Sequence, residues 1–254
     1  MRSFNSCRLW EAAGADFWLA PESGPGVGRD WRDLAFHASI PARPAWALGA
    51  VRLPRSPSAE PVEARVLEIA RAHVRKFGPA RTTIIGIARE AGMTHANVYR
   101  YFLNKDALFE EMTASWLRPL EARLREAADG ADPAYDKLER MLLAIHRVYR
   151  QKLESDAALF DLLIEALEKG KSSARKHRAR VQADIQRVVE EGVASGAFAM
   201  ADKRRALSLI FDAAHRFIHP LALRLDADTP APALEARFER IVAMVLRALR
   251  SGRL

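Results

Sequence analysis

From Val62 onward the apolar positions recur at intervals of three and four, the spacing that sets one side of an α-helix against a core. Val62, Val66, Ile69, Ala70, His73, Val74 and Phe77 form the first stripe. Gly78-Pro79 closes it, because glycine accepts a left-handed turn and proline cannot continue a helix. Thr83 then opens a helix over 84–90 as its N-cap, and Gly92 ends it. Thr94 opens a third helix over about 95–102, and Asn104 caps a fourth that reaches about residue 128 with a kink at Pro119. Beyond the loop ADGADP the same periodicity predicts helices over 133–152, 156–168, 173–194, 201–224 and 231–250.

The chain therefore reads as all-α, with an N-terminal three-helix unit over 59–108 and a larger helical unit over 109–254. Residues 1–58 stand apart. They hold Trp10, Trp18, Trp31 and Trp46, and prolines interrupt every candidate element, so an irregular N-terminal extension is expected. In the last predicted helix Leu234, Phe238, Ile241, Val242, Val245 and Leu249 make a continuous stripe, while ALSLIFDAAHRFIHPLAL before it is apolar on nearly every side. A helix apolar all round must be covered all round, and a second copy of the chain would do this through a four-helix bundle. A homodimer through the last two helices is the expectation.

Composition changes this picture only at the margins. Of 254 residues 49% are hydrophobic and 28% charged, which suits a globular protein rather than a disordered one. Uninterrupted apolar runs of membrane-spanning length are missing, and Glu11 and Asp16 fall where a secretory segment needs apolar residues, so no membrane association and a cytoplasmic location are expected. Cys7, the single cysteine, excludes an internal disulfide and a multi-cysteine zinc site. The net charge of +8 favours a polyanionic partner.

The segment GMTHANVYRYFLNK turns that preference into a site. Ile87 and Ala91 face inward from one short helix, Val98 and Phe102 from the next; Ala88 is small where the axes cross, and Gly92 permits the sharp turn. This is a helix-turn-helix, whose second helix enters the major groove of DNA. With Val98 and Phe102 committed inward, the opposite face presents His95, Ala96, Asn97, Tyr99 and Tyr101. An amide and an imidazole can read base edges, and phenol hydroxyls can hold phosphate oxygens. Lys105 follows at a helix start, where backbone amides and a cation hold a phosphate together.

These residues resemble the DNA-binding domain of TetR-type transcriptional regulators over about fifty positions. The shared features are Phe77-Gly78, Thr82-Thr83-Ile84, Ile87-Ala88 through Gly92, and Tyr99, Phe102, Lys105 and Leu108. The resemblance implies a homodimer on a palindromic double-stranded DNA operator, usually a repressor released by a small-molecule effector, with 109–254 as the helical ligand-binding and dimerisation domain and 59–108 as the helix-turn-helix DNA-binding domain. It makes Thr83, Thr94, Tyr99, Tyr101 and Lys105 phosphate contacts and turns His95, Ala96 and Asn97 toward bases. Three positions depart from the pattern: the gap after Phe77 is short, Gly86 replaces a polar helix residue, and Ile85 stands where some members use a basic contact residue.

For the effector, Trp116, Tyr135, His146, Tyr149 and Phe160 are the large amphipathic side chains of the fourth to sixth helices. The basic run from Lys169 to Arg180 reads as a solvated loop and helix start. Asp212, His215 and His219 share a helical face at i, i+3 and i+7, so a metalloprotein or hydrolase built on them is the alternative from another class. A helix-turn-helix that no longer reads DNA is a third reading. Nucleophile-elbow, phosphate-loop, dinucleotide and zinc-protease signatures do not occur, so neither an enzyme nor a cofactor is expected.

Overall fold

A computed structural model describes residues 59–200 and 202–252. The expected irregular extension over 1–58, and Cys7 with it, lies outside the described residues. The described elements are α1 (Ala59–Arg81), α2 (Ile84–Glu90), α3 (His95–Tyr99), α4 (Lys105–Asp129), α5 (Ala134–Ser155), α6 (Ala157–Glu168), α7 (Ser172–Ala194), α8 (Lys203–Ile218), α9 (Pro220–Leu225) and α10 (Ala231–Ser251). The all-α expectation holds for these residues.

Two hydrophobic cores organise the helices. In the first, Val66, Leu67, Ala70 and Val74 of α1 pack with Ile84, Ile87 and Ala88 of α2, Val98, Phe102, and Leu108 and Met112 at the start of α4. Leu159 and Leu162 of α6 complete it, so the helix-turn-helix unit is docked on the rest of the chain rather than tethered to it. The buried stripe of α1 ends at Val74; Phe77, expected to be its last member, is 43% exposed beside the His73 ring. Gly78, at φ 75°, then breaks the helical path within α1. The second core lies between α4, α5, α7, α8 and α10.

Two expected boundaries move. The segment 201–224 is two helices, because His219 sits extended at φ −84° and ψ 124° before Pro220. The proline ring disfavours helical backbone in the residue before it and offers no N–H to the preceding turn. The third helix stops at Tyr99, and Tyr101 and Phe102 close a turn by donating to the Val98 carbonyl at 3.0 Å each.

The apolar stripes expected to meet a second copy are covered from within the chain. Leu234, Phe238, Val242, Val245 and Leu249 of α10, and Ile210, Phe211, Ala214, Phe217 and Ile218 of α8, are buried within the chain's own second core. The stripe thus needs no second copy to cover it. Leu209 and Ala213 on α8 and Ile241 on α10 are only partly buried against this core, and Met244 of α10 is half-exposed.

Candidate functional site

The helix-turn-helix is built from caps. The Thr83 hydroxyl oxygen accepts the Gly86 N–H at 3.1 Å, that of Thr94 accepts the Asn97 N–H at 3.3 Å, and the Asn104 side-chain oxygen accepts the Ala107 N–H at 2.7 Å. Each satisfies an amide that a helix start leaves unpaired. Both threonines are exposed, and as acceptors of the capping bond they keep their own O–H free to donate outward. Gly92 takes φ 68° between the two helices, a conformation that a side chain would strain.

Gly86 also finds its reason here. A Cβ at this position would lie 3.2 Å from both the His73 ring and the Thr83 hydroxyl, so any side chain would crowd the contact between α1 and α2. That contact is reinforced by His73 Nε2 and Glu90 Oε2 at 2.5 Å.

Val98 and Phe102 are buried as expected, at 0% and 3% exposure, and this fixes which side of α3 faces out. His95, Ala96 and Tyr99 are exposed, Asn97 and Tyr101 half-buried. The His95 and Tyr99 rings meet edge to face at 6.3 Å, which stiffens the outward surface. Tyr101 also packs on the first core. Lys105 is the most constrained of the group, because its ammonium donates to the Pro79 carbonyl at 2.9 Å and lies 5.1 Å from the Phe109 ring. Arg100, which the sequence reading passed over, is exposed at the end of α3 between the two tyrosines. The signal for it was its position: a guanidinium flanked by two candidate phosphate-holding phenols. Ile85 is 70% exposed and Leu103 82%, so two large apolar side chains stand free on this unit.

The five candidate effector contacts do not form one group. Trp116, Phe160 and Tyr149 are in succession, ring to ring, at 6.4 and 6.2 Å. His146 lies elsewhere, buried between Phe217 and Phe238 with Nδ1 at 2.8 Å from the Phe217 carbonyl; burial holds its pKa below the ordinary histidine range. Tyr135 lies under the Arg250 guanidinium at 4.8 Å. What sequence reasoning missed is the buried polar chain beside Tyr149. Its hydroxyl is 2.7 Å from His177 Nε2, His177 Nδ1 is 2.8 Å from Glu121, and Arg180 donates to the other Glu121 oxygen at 2.8 Å. Burial pushes the Glu121 carboxyl up, but the bonds from His177 and Arg180 outweigh it and leave it below the usual carboxylate range. An ionised Glu121 accepts from Nδ1, and Nε2 is the ring atom that shares a hydrogen bond with the phenol. Burial also raises the Tyr149 hydroxyl, which keeps it a donor.

The basic run is exposed at Lys169, Arg175, Lys176 and Arg180, as a solvated loop and helix start should be, and it also makes specific pairs. Lys171 pairs with Asp106 at 2.8 Å, the Ser173 N–H donates to Glu110 at 2.8 Å, and His177 and Arg180 hold Glu121. It fastens the start of α7 along the acidic side of α4.

The metal reading of Asp212, His215 and His219 is not supported. The two imidazoles stack face to face, with centroids 4.7 Å apart and planes at 19°, so their in-plane nitrogens do not converge on a common point. Asp212 is exposed on the outer side of α8. Among the described residues no set of three or more His, Cys, Asp or Glu side chains is placed to hold a metal ion.

A capped helix-turn-helix with its second helix turned outward, docked on a larger all-helical body, defines a DNA-binding transcriptional regulator. Residues 66–112 match the family model of bacterial regulatory proteins of the tetR family, and residues 134–242 match the tetracyclin repressor-like C-terminal domain. The chain belongs to the TetR family of transcriptional regulators. The HTH-type transcriptional regulator YhgD of Bacillus subtilis is 25% identical over 184 residues, 67% of this chain and 91% of that protein. A TetR-family regulator from Mesorhizobium loti superposes with a TM-score of 0.56 at 17% identity, over 75% of this chain and 97% of that one. A TetR/AcrR-family regulator from Thermobifida fusca gives 0.54 at 21% identity, over 74% and 98%.

Proposed function

We propose that this regulator is a repressor that holds a palindromic operator as a homodimer and is released by a small-molecule effector. The observation that carries the reading is the division of α3: Val98 is fully buried while His95, Ala96 and Tyr99 on the other side are exposed. On this reading α3 lies in the major groove with His95, Ala96 and Asn97 toward base edges. Thr83, Thr94, Tyr99, Tyr101 and Lys105 hold the flanking phosphates, joined by Arg100. A DNA target places the protein in the cytoplasm, and no described helix is long and apolar enough to cross a membrane.

The outward sides of α8 and α10, with Leu209, Ala213, Ile241 and Met244, form the dimer surface, and half-sites then lie about one helical turn, ~34 Å, apart or slightly more. Release is a shift in population: an effector that prefers a wider separation of the two α3 helices weakens operator binding by its differential affinity. The helical body supports this role, because α6 shares Leu159 and Leu162 with the core of the DNA-binding unit.

Footprinting of bound sites across the genome tests the reading. Recovered sites should share an inverted repeat, and that repeat should compete for binding where random DNA does not. Sites without two-fold symmetry, or equal competition by random DNA, would refute it.

A further inference from the structure

Between α1, α4 and α5, on the side of α4 away from α7's contact with Glu121, a cleft of about 440 Å³ is lined by Trp116, Leu120 and Val148 on its apolar part and by Arg75, Arg123, Lys152 and Asp156 on its polar part. Its volume falls within the range of small-molecule sites, about 300–1,000 Å³. We propose that this cleft is a binding site for a small organic anion, a carboxylate or phosphate carried on a compact aromatic or apolar body, seated at the junction between the DNA-binding unit and the helical body.

The charge balance carries the argument. Three cations line the cleft against one carboxylate. Asp156 already serves Arg75, accepting from Nε at 3.0 Å and from Nη2 at 2.8 Å. Lys152 and Arg123 take part in no ion pair among the described residues. Lys152 is the more telling of the two. Its ammonium donates to the Trp116 carbonyl at 2.8 Å and lies 4.0 Å from the centroid of the Trp116 ring, so the cation sits over an aromatic face instead of against a carboxylate. Burial holds its pKa down at about 8, against a smaller opposing pull from Asp156. A partly buried cation whose nearest carboxylate already serves Arg75 is stabilised by an anion that reaches it. The same indole supplies a flat apolar surface for the body of that anion.

The place of the cleft gives the site a consequence. Arg75 and Arg71 both stand on α1, and they tie it to the body: Arg75 to Asp156 at the corner between α5 and α6, Arg71 to the Ser115 hydroxyl of α4 at 2.6 Å. An anion seated beside Lys152 competes with Asp156 for Arg75 and so loosens one of these ties. This part rests on the ligand-released reading above; anion binding itself does not.

Titration calorimetry on the full chain at constant ionic strength tests the proposal, with benzoate, phenyl phosphate, inorganic phosphate and benzyl alcohol as probes. Saturable binding is expected for benzoate or phenyl phosphate, and which of the two binds tighter identifies the anionic group. Inorganic phosphate lacks the body and benzyl alcohol the charge, and both should bind more weakly. Lys152→Met should weaken the organic anion about tenfold or more, the scale of one charge-assisted hydrogen bond. Arg123→Gln, at an exposed position, should weaken it in the same direction with the fold undisturbed. Absence of saturable binding by both organic anions, equal binding of benzyl alcohol, or unchanged affinity in both variants would overturn the site. Anion binding that leaves operator affinity unaltered would instead count against the coupling through Arg75 alone.

Discussion

Gly192→Ala is a substitution for which two effects point in opposite directions and the structure decides between them. Gly192 lies inside α7, where alanine ordinarily stabilises a helix by about 1 kcal/mol relative to glycine. Here a Cβ would stand 2.2 Å from Cδ2 and 2.3 Å from Cε2 of Phe198. Carbon atoms pack at about 3.5–4.0 Å, so the ring must withdraw by roughly 1 Å or more. It has little freedom to do so: Phe198 is 3% exposed, its own N–H is bonded to the Gly192 carbonyl at 2.9 Å, and the next two amides are bonded to the Leu249 carbonyl at 3.0 and 3.3 Å. Overpacking of this kind costs about 1–3 kcal/mol, and expelling the ring altogether costs about 3–5 kcal/mol. An approach of 2.2 Å puts the clash at the upper end of that range, so it wins over the propensity and the variant should lose about 1–2 kcal/mol net. Urea unfolding followed by circular dichroism should show a lower midpoint for Gly192→Ala and partial recovery when Phe198→Leu is added, the coupling expected of touching residues. A midpoint equal to or above that of the parent would refute the reasoning.

Other expectations follow from the buried chain, from His219 and from the DNA-facing residues. Tyr149→Phe leaves His177 Nε2 without its hydrogen-bond partner in a buried site, so urea unfolding should show a loss of about 1–3 kcal/mol; an unchanged midpoint would contradict the chain. Burial, and then the neighbouring His215, bring the His219 pKa down to about 4. The unfolded chain therefore takes up this proton first, and the contribution of His219 to stability is present above the unfolded pKa of about 6.5 and is lost as pH falls toward 4, by about 3 kcal/mol at the bottom of that window. His219→Gln should flatten the stability profile between those pH values, and identical slopes would argue against it. On operator DNA, Tyr99→Phe and Lys105→Ala should weaken binding to all sequences, and Lys105→Ala should also reduce the log-log salt slope, which is about 0.9 per phosphate neutralised. Asn97→Ala should instead relax preference at one base pair, at a cost of about 1–3 kcal/mol for the preferred base, and a uniform loss on every sequence would remove its assigned role.

The helix-turn-helix was legible in the sequence because its signals are local. Thr83, Thr94 and Asn104 stand where caps are needed, Gly92 where a positive φ is needed, and Ile87, Val98 and Phe102 where the 3.6-residue period turns inward. Gly86 looked like a defect for the opposite reason. Its justification is the His73 ring, thirteen positions earlier on another helix, and no local pattern announces that. The chain through Glu121, Tyr149 and His177 is hidden in the same way, since its members come from three helices and are separated by 28 and 56 positions. The break before Pro220 was visible as a proline, but the apolar run on both sides of it favoured one continuous helix. The α10 stripe shows a further limit: periodicity tells that a face is covered, not which molecule covers it, and here α10 serves the chain's own core.

Operator recognition depends on α3 lying in the major groove. Ala96 is exposed on that helix, and replacing it by cysteine in a Cys7→Ser background gives a single attachment point for an iron chelate. Cleavage of operator DNA by the tethered iron should fall in two short clusters, one in each half-site, about one helical turn or slightly more apart. Cleavage spread evenly along the fragment, or confined to positions outside the footprint, would contradict it.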